Sequence, residues 1–234
     1  MHIISSITVW GDSIMRGVIF DAAASKYKFL KDSAVSLFTK TFPIRVNNRS
    51  RFGTTAPRAL EAMRKSLAEP DESELILLEF GGNDCDYNWA EVSRDPYADH
   101  LPNTPIPEFS QALREMVQVI EAAGKRPAVM SLPPIDSTRY FDFITSPENV
   151  DPERVLTFLT DKEHIYRHQE RYSNAACRVA SDMRVPLIDV REKFLLQRSV
   201  RNFLCIDGIH PNEAGQRLIH EVLANTYEAY QGAF

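Results

Sequence analysis

Apolar segments that are typical of β-strands alternate along this chain with segments whose apolar residues recur at helical spacing. The run at 74–80 is apolar at nearly every position, which is expected for a parallel strand that is covered on both faces. The pattern predicts five strands, at 3–10, 43–47, 74–80, 127–131 and 185–190. It predicts helices at 22–40, 57–67, 108–123, 162–182 and 211–230.

This alternation of strands and helices indicates one α/β domain over residues 1–234. Right-handed crossovers between the strands would produce a five-stranded parallel sheet between two helix layers, a flavodoxin-like three-layer α/β/α sandwich. Ligands bind at the carboxyl ends of the strands in such folds. Two connections, 84–107 and 132–160, are unusually long. They are either walls of a binding pocket or passive surface insertions.

Composition narrows the possible partners. The net charge is −5, so the chain has no general basic surface for nucleic acid. The longest unbroken apolar run is 75–78, which predicts no membrane span. Three cysteines without a CxxC pair, and no visible signal peptide, favour reduced thiols and a cytoplasmic location. No G-x-G-x-x-G, P-loop or three-ligand metal pattern is evident, so we expect neither a nucleotide cofactor nor a metal.

Short polar clusters follow the predicted strands. Because the carboxyl ends of parallel strands meet at one edge of the sheet, we expect these clusters to converge there. A further cluster precedes the last predicted helix. The four clusters are Gly11-Asp12-Ser13, Phe52-Gly53-Thr54, Gly81-Gly82-Asn83-Asp84 and Asp207-Gly208-Ile209-His210.

Ser13, Asp207 and His210 are the residue types of a nucleophilic triad, in the order Ser…Asp-x-x-His. A serine hydroxyl needs an adjacent base, and imidazole titrates close to neutral pH. Asp207 can fold back on the imidazole across a turn at Gly208, and Pro211 suits the first position of the following helix. The chain has no G-x-S-x-G motif, which argues against the α/β-hydrolase fold.

Other polar residues have simpler interpretations. Asp12 and Asp84 are expected to hold their loops through hydrogen bonds rather than to act as acids or bases. Cys85 is expected to be a small buried or lining residue. His164 and His168 are spaced i, i+4, which can bind a metal, but no third ligand is evident and a solvated helix face is favoured.

Taken together, the four clusters resemble the sequence blocks of the SGNH hydrolases, also called the GDSL esterase/lipase family. The resemblance implies a serine esterase of flavodoxin-like fold, in which Ser13 is the nucleophile, His210 the base and Asp207 its orienting partner. It also implies an oxyanion hole made by the backbone N–H groups of Ser13 and Gly53 and the side-chain amide of Asn83. Ile14 stands where the family name has leucine, at a position without a chemical role.

The expected substrate is a small-molecule acyl ester, with an O-acetylated sugar as the leading hypothesis. Candidate substrate-binding residues are Arg16, Tyr87, Trp89 and Tyr140, whose rings either line the pocket or only pin the loops to the core. Transfer of the acyl group to a sugar or alcohol, and lysophospholipase or thioesterase activity, are alternatives within the resemblance. A ligand-binding protein that kept the fold without the chemistry is the non-enzymatic alternative.

Overall fold

The computed structural model describes residues 4–67 and 72–232. Its main sheet has five strands, and a separate hairpin has two. Numbered in chain order, the strands are β1 (Ser6–Gly11), β2 (Val18–Asp21), β3 (Lys26–Phe29), β4 (Arg45–Asn48), β5 (Leu75–Glu79), β6 (Arg126–Met130) and β7 (Leu187–Ile188). The main sheet has the order β4-β1-β5-β6-β7, with all neighbours parallel, and β2–β3 is antiparallel. The five-stranded parallel sheet is therefore confirmed.

Helices cover both faces of this sheet. They are α1 (Ser13–Arg16), α2 (Ala34–Thr41), α3 (Ala56–Leu67), α4 (Trp89–Arg94), α5 (Ile106–Ala122), α6 (Ser137–Ile144), α7 (Pro152–Leu159), α8 (Glu163–Met183), α9 (Val190–Leu195) and α10 (Glu213–Gly232), with a short 3₁₀ helix at Val200–Phe203. On β5, Ile76 and Leu78 pack against α3, α5 and α8, whereas Leu77 packs against α2, α9 and α10. Because successive side chains of a strand point to opposite faces, one apolar strand serves both helix layers, and the three-layer sandwich is confirmed.

The two long connections contain helices that pack on one another. A third apolar cluster joins α4, α6 and α7 through Val92, Phe141, Val155 and Leu159, apart from the two clusters that flank the sheet. These connections are thus folded walls with a core of their own. None of the helices in the described part of the chain is long and apolar enough to cross a membrane.

The helix predicted at 22–40 is wrong over its first half. That segment forms the β2–β3 hairpin, and the helix begins only at Ala34. The side chain of Asp21 accepts hydrogen bonds from the backbone of Ala23 and Ala24 and from Lys28, which stabilises a turn in place of a helix. Ser33 then caps α2 by accepting from the Ser36 amide.

Other boundaries also differ from the prediction, most of them by one or two residues. The strand predicted at 3–10 is seen from Ser6, and residue 3 lies outside the described residues. The strand predicted at 185–190 is reduced to Leu187–Ile188, because Asp189 caps α9. Pro211 is not the first helical residue: it pairs with Leu204 in a β-bridge, and the Asn212 side chain accepts from the Gly215 amide where α10 begins.

Candidate active site

Ser13 lies at the carboxyl end of β1, at the start of the one-turn helix α1. Asp12 Oδ1 accepts a 2.9 Å hydrogen bond from the Ile14 amide and so caps this turn. Gly17, in the left-handed region at φ +75°, ends it. The Ser13 side chain is buried at this junction between β1 and the β2–β3 hairpin.

Asp207 and His210 lie in the turn before α10. One carboxylate oxygen of Asp207, Oδ1, accepts from the amides of Ile209 and His210, both at 3.1 Å. Gly208 has φ +78°, a conformation that glycine adopts without strain. The second oxygen, Oδ2, lies 2.7 Å from His210 Nδ1. One carboxylate therefore shapes the turn and contacts the imidazole.

The imidazole connects the two chain segments. His210 Nε2 lies 2.9 Å from Ser13 Oγ, although the two residues are 197 positions apart in the sequence. Asp207 is fully buried, and His210 is nearly so. With the ring proton assigned to Nδ1, that nitrogen donates to Asp207 and Nε2 accepts from the serine hydroxyl. This arrangement can activate the hydroxyl for attack on an acyl carbonyl.

Asn83 is held at the same sheet edge. Its side-chain Nδ2 donates to Asp12 Oδ2 at 3.0 Å. Asn83 also lines the cavity that contains Ser13 and His210. An amide nitrogen carries two protons, so the second N–H is left to a ligand. Gly53 follows β4 on the same edge, with φ +71°, but it is exposed and its neighbour Phe52 lines the cavity instead.

Three buried carboxyl groups lie beneath these loops. Asp12 and Asp84 have the structural hydrogen bonds expected of them, and Asp84 Oδ1 accepts from the Ala56 amide at 2.9 Å. Sequence reasoning missed the third, Glu79, a lone acidic residue at the end of apolar β5. The Asp12 amide donates to Glu79 Oε2 at 3.4 Å.

Burial is the main cause of the pKa shifts of these three carboxyl groups. It raises the pKa of Asp12, and together with the nearby Asp12 charge it raises the pKa of Glu79 well above the usual range. Burial also raises the pKa of Asp84 to about 7. The loops that carry Ser13 and Asn83 are linked through Asp12, whose amide donates to Glu79 and whose carboxylate accepts from Asn83.

A cavity of about 300 Å³ opens beside Ser13 and His210. The structure places Tyr87, Trp89 and Tyr140 in its lining, together with apolar side chains such as Leu132 and Ile165. Trp89 Nε1 and Tyr140 Oη both donate to one oxygen of the half-buried Asp86, at 2.8 and 2.6 Å. These rings therefore line the pocket and also pin its walls, so both interpretations from the sequence apply.

Arg16 is not brought together with those residues. Its side chain lies outside the cavity, with the guanidinium 5.3 Å from the centre of the Phe29 ring, and it lines a neighbouring pocket. The first residue after the one-turn helix α1 is Gly17, and α1 turns Arg16 away from the cavity that Ser13 faces.

Sequence reasoning missed that Tyr27 and Phe52 lie beside the imidazole. The Tyr27 ring lies edge-on to the His210 ring, with 5.0 Å between the ring centres. The Phe52 ring is parallel to the same imidazole, with 6.2 Å between the ring centres. Phe143 contacts Tyr27 at 6.5 Å and also lines the cavity. Burial and the charges of Asp207 and Asp86 raise the pKa of Tyr27. The alternating Lys-Tyr-Lys-Phe of β3 was the available sequence signal for this wall.

The histidines at 164 and 168 both line the cavity. His168 is buried, so the solvated face predicted for it is wrong: its Nε2 lies 3.1 Å from the Cys85 carbonyl, and burial lowers its pKa to about 4. Cys85 is buried and lines the cavity, as predicted, and burial raises the pKa of its thiol. Within the described residues, no group of three or more His, Cys, Asp or Glu side chains could hold a metal ion.

Comparison with known proteins agrees with this architecture. A lipase/acylhydrolase from Enterococcus faecalis is 19% identical, with 97% of each chain covered and a TM-score of 0.69. A carbohydrate acetylesterase family member from Sinorhizobium meliloti is 14% identical, with 98% of this chain and 100% of the other covered and a TM-score of 0.67. An acetylxylan esterase from Geobacillus stearothermophilus, solved as a catalytic mutant, is 19% identical, with 97% and 96% covered and a TM-score of 0.64.

At these identities the structural likeness shows a shared fold. No curated protein matches the sequence significantly. The family itself is shown by the sequence, which matches the model of the GDSL-like Lipase/Acylhydrolase family over residues 9–218. The match includes all four polar clusters. The chain therefore belongs to the GDSL-like lipase/acylhydrolase family and is a serine esterase of this type.

Proposed function

We propose that this esterase hydrolyses small acyl esters through an acyl-enzyme on Ser13. The observation that carries the proposal is the hydrogen-bonded chain from Ser13 Oγ to His210 Nε2, at 2.9 Å, and from His210 Nδ1 to Asp207 Oδ2, at 2.7 Å. In this proposal Ser13 is the nucleophile, His210 the general base and Asp207 the group that orients the imidazole.

The reaction follows from this geometry in two halves. Ser13 Oγ attacks the acyl carbon while His210 Nε2 takes the hydroxyl proton. The imidazolium then donates that proton to the departing alcohol, which leaves the acyl group on Ser13. Water enters, gives its proton to Nε2 and attacks the acyl carbon. The serine oxygen regains the proton, and the carboxylic acid is released.

The oxyanion of each tetrahedral intermediate needs hydrogen-bond donors. We assign this role to the backbone N–H groups of Ser13 and Gly53 and to the side-chain amide of Asn83. The contact between Asn83 Nδ2 and Asp12 Oδ2, at 3.0 Å, supports the assignment for Asn83, because it fixes the amide in one orientation. A donor held in place before the reaction stabilises developing charge without reorganisation.

Short acyl esters, above all O-acetyl groups on carbohydrate, are the proposed substrates. The cavity of about 300 Å³ lies near the lower end of the range of small-molecule sites. Tyr87 and Trp89 offer aromatic faces on which a sugar ring can stack. Structural neighbours that are named an acetylxylan esterase and a carbohydrate acetylesterase family member are in keeping with this substrate class.

A series of p-nitrophenyl esters from acetate to palmitate, measured beside acetylated xylan, tests the proposal. We expect the largest kcat/KM for the shortest chains and covalent labelling of Ser13 by a fluorophosphonate. Ser13→Ala and His210→Ala should each lower kcat by about 10⁴-fold or more. Ser181→Ala, at an exposed position on α8, should retain the wild-type rate.

Two results would contradict the proposal. Absence of turnover for every short ester, together with unlabelled Ser13, would exclude the acyl-enzyme. A sharp preference for palmitate over acetate would exclude the short-acyl substrate and leave the reaction class standing.

A further inference from the structure

A second, basic pocket of about 420 Å³ adjoins the active-site cavity. It is lined by three arginines together with aromatic and hydroxyl side chains: Arg16, Arg49, Arg51, Trp10, Ser50 and Phe52. Phe52 lines both this basic pocket and the cavity that contains Ser13. The two spaces are therefore adjacent.

The charge of the basic pocket is not neutralised by the protein. Across the described residues, no carboxylate forms an ion pair with Arg16, Arg49 or Arg51. Two of these guanidinium groups lie over aromatic rings instead, that of Arg16 over Phe29 and that of Arg49 over Trp10 at 5.7 Å. In a chain of net charge −5, three unpaired arginines at one place create a local positive field.

Unpartnered polar groups occur in the same lining. Ser50 and Trp10 are 3% and 5% exposed, and neither Ser50 Oγ nor Trp10 Nε1 has a hydrogen-bond partner within the part of the chain that the structure describes. Buried polar groups are normally paired, and these two are not. Both can donate a hydrogen bond.

Backbone hydrogen bonds hold the basic pocket at a fixed place relative to the nucleophile. The Arg49 and Arg51 amides donate to the carbonyls of Val9 and Gly11 on β1, at 2.8 and 3.0 Å. The Asn48 side chain donates to the Met15 carbonyl of α1 at 2.8 Å. The arginines are thus attached to the strand and the helix that carry Ser13.

We propose that the basic pocket binds a phosphate group on the alcohol half of the substrate, so that the substrate is an acyl ester of a phosphorylated sugar or polyol. This inference rests on the proposed esterase function and specifies its substrate. Guanidinium groups bind phosphate through paired N–H donors, and several of them match the charge of a phosphate dianion. The ester then lies in the cavity at Ser13 while the phosphate is held beyond Phe52.

A matched pair of esters tests the inference on the intact enzyme. The kcat/KM is measured for 1-acetylglycerol and for 1-acetylglycerol 3-phosphate at one ionic strength, because salt screens the attraction. We expect the wild type to prefer the phosphorylated ester by roughly tenfold or more. The double variant Arg16→Gln, Arg51→Gln should bring the ratio of the two values close to one.

The control variant is Arg178→Gln, an exposed arginine on α8 that removes the same charge and lines neither pocket. It should keep both the wild-type ratio and the wild-type rate with p-nitrophenyl acetate. Equal kcat/KM for the two esters in the wild type would overturn the inference. A preference that survives in the double variant, or that is lost equally in Arg178→Gln, would overturn the assignment to the basic pocket.

Direct binding separates this inference from the proposed function. Calorimetry should detect binding of glycerol 3-phosphate to the wild type and its loss in the double variant. Binding without turnover of any ester would refute the esterase proposal while supporting phosphate binding in the basic pocket. Absence of binding would overturn phosphate binding in this pocket. Inorganic phosphate that binds as well as glycerol 3-phosphate, combined with equal rates for the two esters, would indicate a site for a free anion and overturn the substrate assignment.

Discussion

At the scale of single residues, Asp207 has two structural tasks, one for each carboxylate oxygen. Oδ1 accepts from the amides of Ile209 and His210, and Oδ2 contacts His210 Nδ1 at 2.7 Å. The turn and the imidazole orientation therefore depend on one fully buried side chain. A substitution that keeps the shape of this side chain separates the two tasks.

Asp207→Asn is such a substitution. Its oxygen can keep the bonds to the turn, but its NH₂ group faces Nδ1 and so favours the tautomer with the proton on Nε2, which cannot accept from Ser13. We expect kcat for p-nitrophenyl acetate to fall by about 10⁴-fold, with a melting temperature close to that of the wild type. Loss of less than about tenfold would show that the proposed orienting role is wrong.

Asn83 is the side chain that we assign to the oxyanion. Asn83→Ala should lower kcat by about 10²–10³-fold and leave KM nearly unchanged, because the donor acts on charge that develops after binding. The control is Asn225→Ala, at an exposed position on α10. Steady-state kinetics with p-nitrophenyl acetate measures both constants, and a change confined to KM would contradict the role.

At the scale of elements, the turn at Gly208 connects the segment of Asp207 and His210 to the wall of the cavity. The Asp136 amide donates to the Gly208 carbonyl at 2.8 Å, so the turn packs directly against the start of α6. A Cβ at position 208 would lie 2.6 Å from the Tyr140 nitrogen and 2.7 Å from the Asp136 carbonyl oxygen. This close approach of two backbones requires glycine.

Gly208→Ala should therefore lower the free energy of unfolding more than Gly124→Ala does. Both glycines have positive φ, at +78° and +71°, but a Cβ on Gly124 would meet nothing within 4 Å. We expect Gly124→Ala to cost about 1 kcal/mol of unfolding free energy from strain alone and Gly208→Ala more than about 2 kcal/mol. Urea unfolding measures the difference, and equal costs would contradict the packing argument.

The β2–β3 hairpin supplies an aromatic side of the site through Tyr27, whose ring meets the His210 ring at 5.0 Å. Tyr27→Ala should raise KM for p-nitrophenyl acetate by about three- to tenfold, since an aromatic contact contributes about 0.5–1.5 kcal/mol beyond its buried area. Tyr27→Phe keeps the ring and should behave like the wild type. A KM that is the same in all three proteins would exclude a contact between this ring and the substrate.

At the scale of the whole molecule, the carboxyl ends of β1 and β5 carry buried acidic residues that link the site to pH-dependent stability. Burial raises the pKa of Asp84 to about 7, against 3.8 in the unfolded chain. Between these values the unfolded state has lost a proton that the folded state keeps. Rising pH therefore favours unfolding over this window, and above about pH 7 the effect is constant.

Asp84→Asn removes this ionisation and can keep the bond from the Ala56 amide, because Asp84 Oδ1 is the acceptor. The unfolding free energy of the variant minus that of the wild type should increase from pH 4 to pH 7 and then level off. Chemical denaturation at several pH values tests this, with Asp99→Asn as the exposed control. A difference that does not change with pH would contradict the burial argument.

Much of this molecule could be predicted from the sequence, because the signals are local. Apolar runs such as 74–80 and the 3.6-residue periodicity of 108–123 indicate burial without knowledge of neighbours, and the order of strands and helices restricts the topology. The polar clusters at Ser13, Asn83 and Asp207 were visible for the same reason. The roles assigned to these residues in catalysis remain predictions.

Only the tertiary structure decided which side chains share a space. The Ala22–Ala24 segment looked helical because alanine suits a helix, but the Ala23 and Ala24 amides donate to Asp21 and, with the aromatic contacts of Tyr27, stabilise a hairpin there. The sequence grouped Arg16 with Tyr87, Trp89 and Tyr140 as candidate substrate-binding residues, whereas Arg16 lines the basic pocket and the other three line the cavity at Ser13. The pairing of Glu79 with Asp12 depends on the register of β5 against β1. Such contacts join residues far apart in the chain, so local propensity cannot determine them and the packing of the whole sheet does.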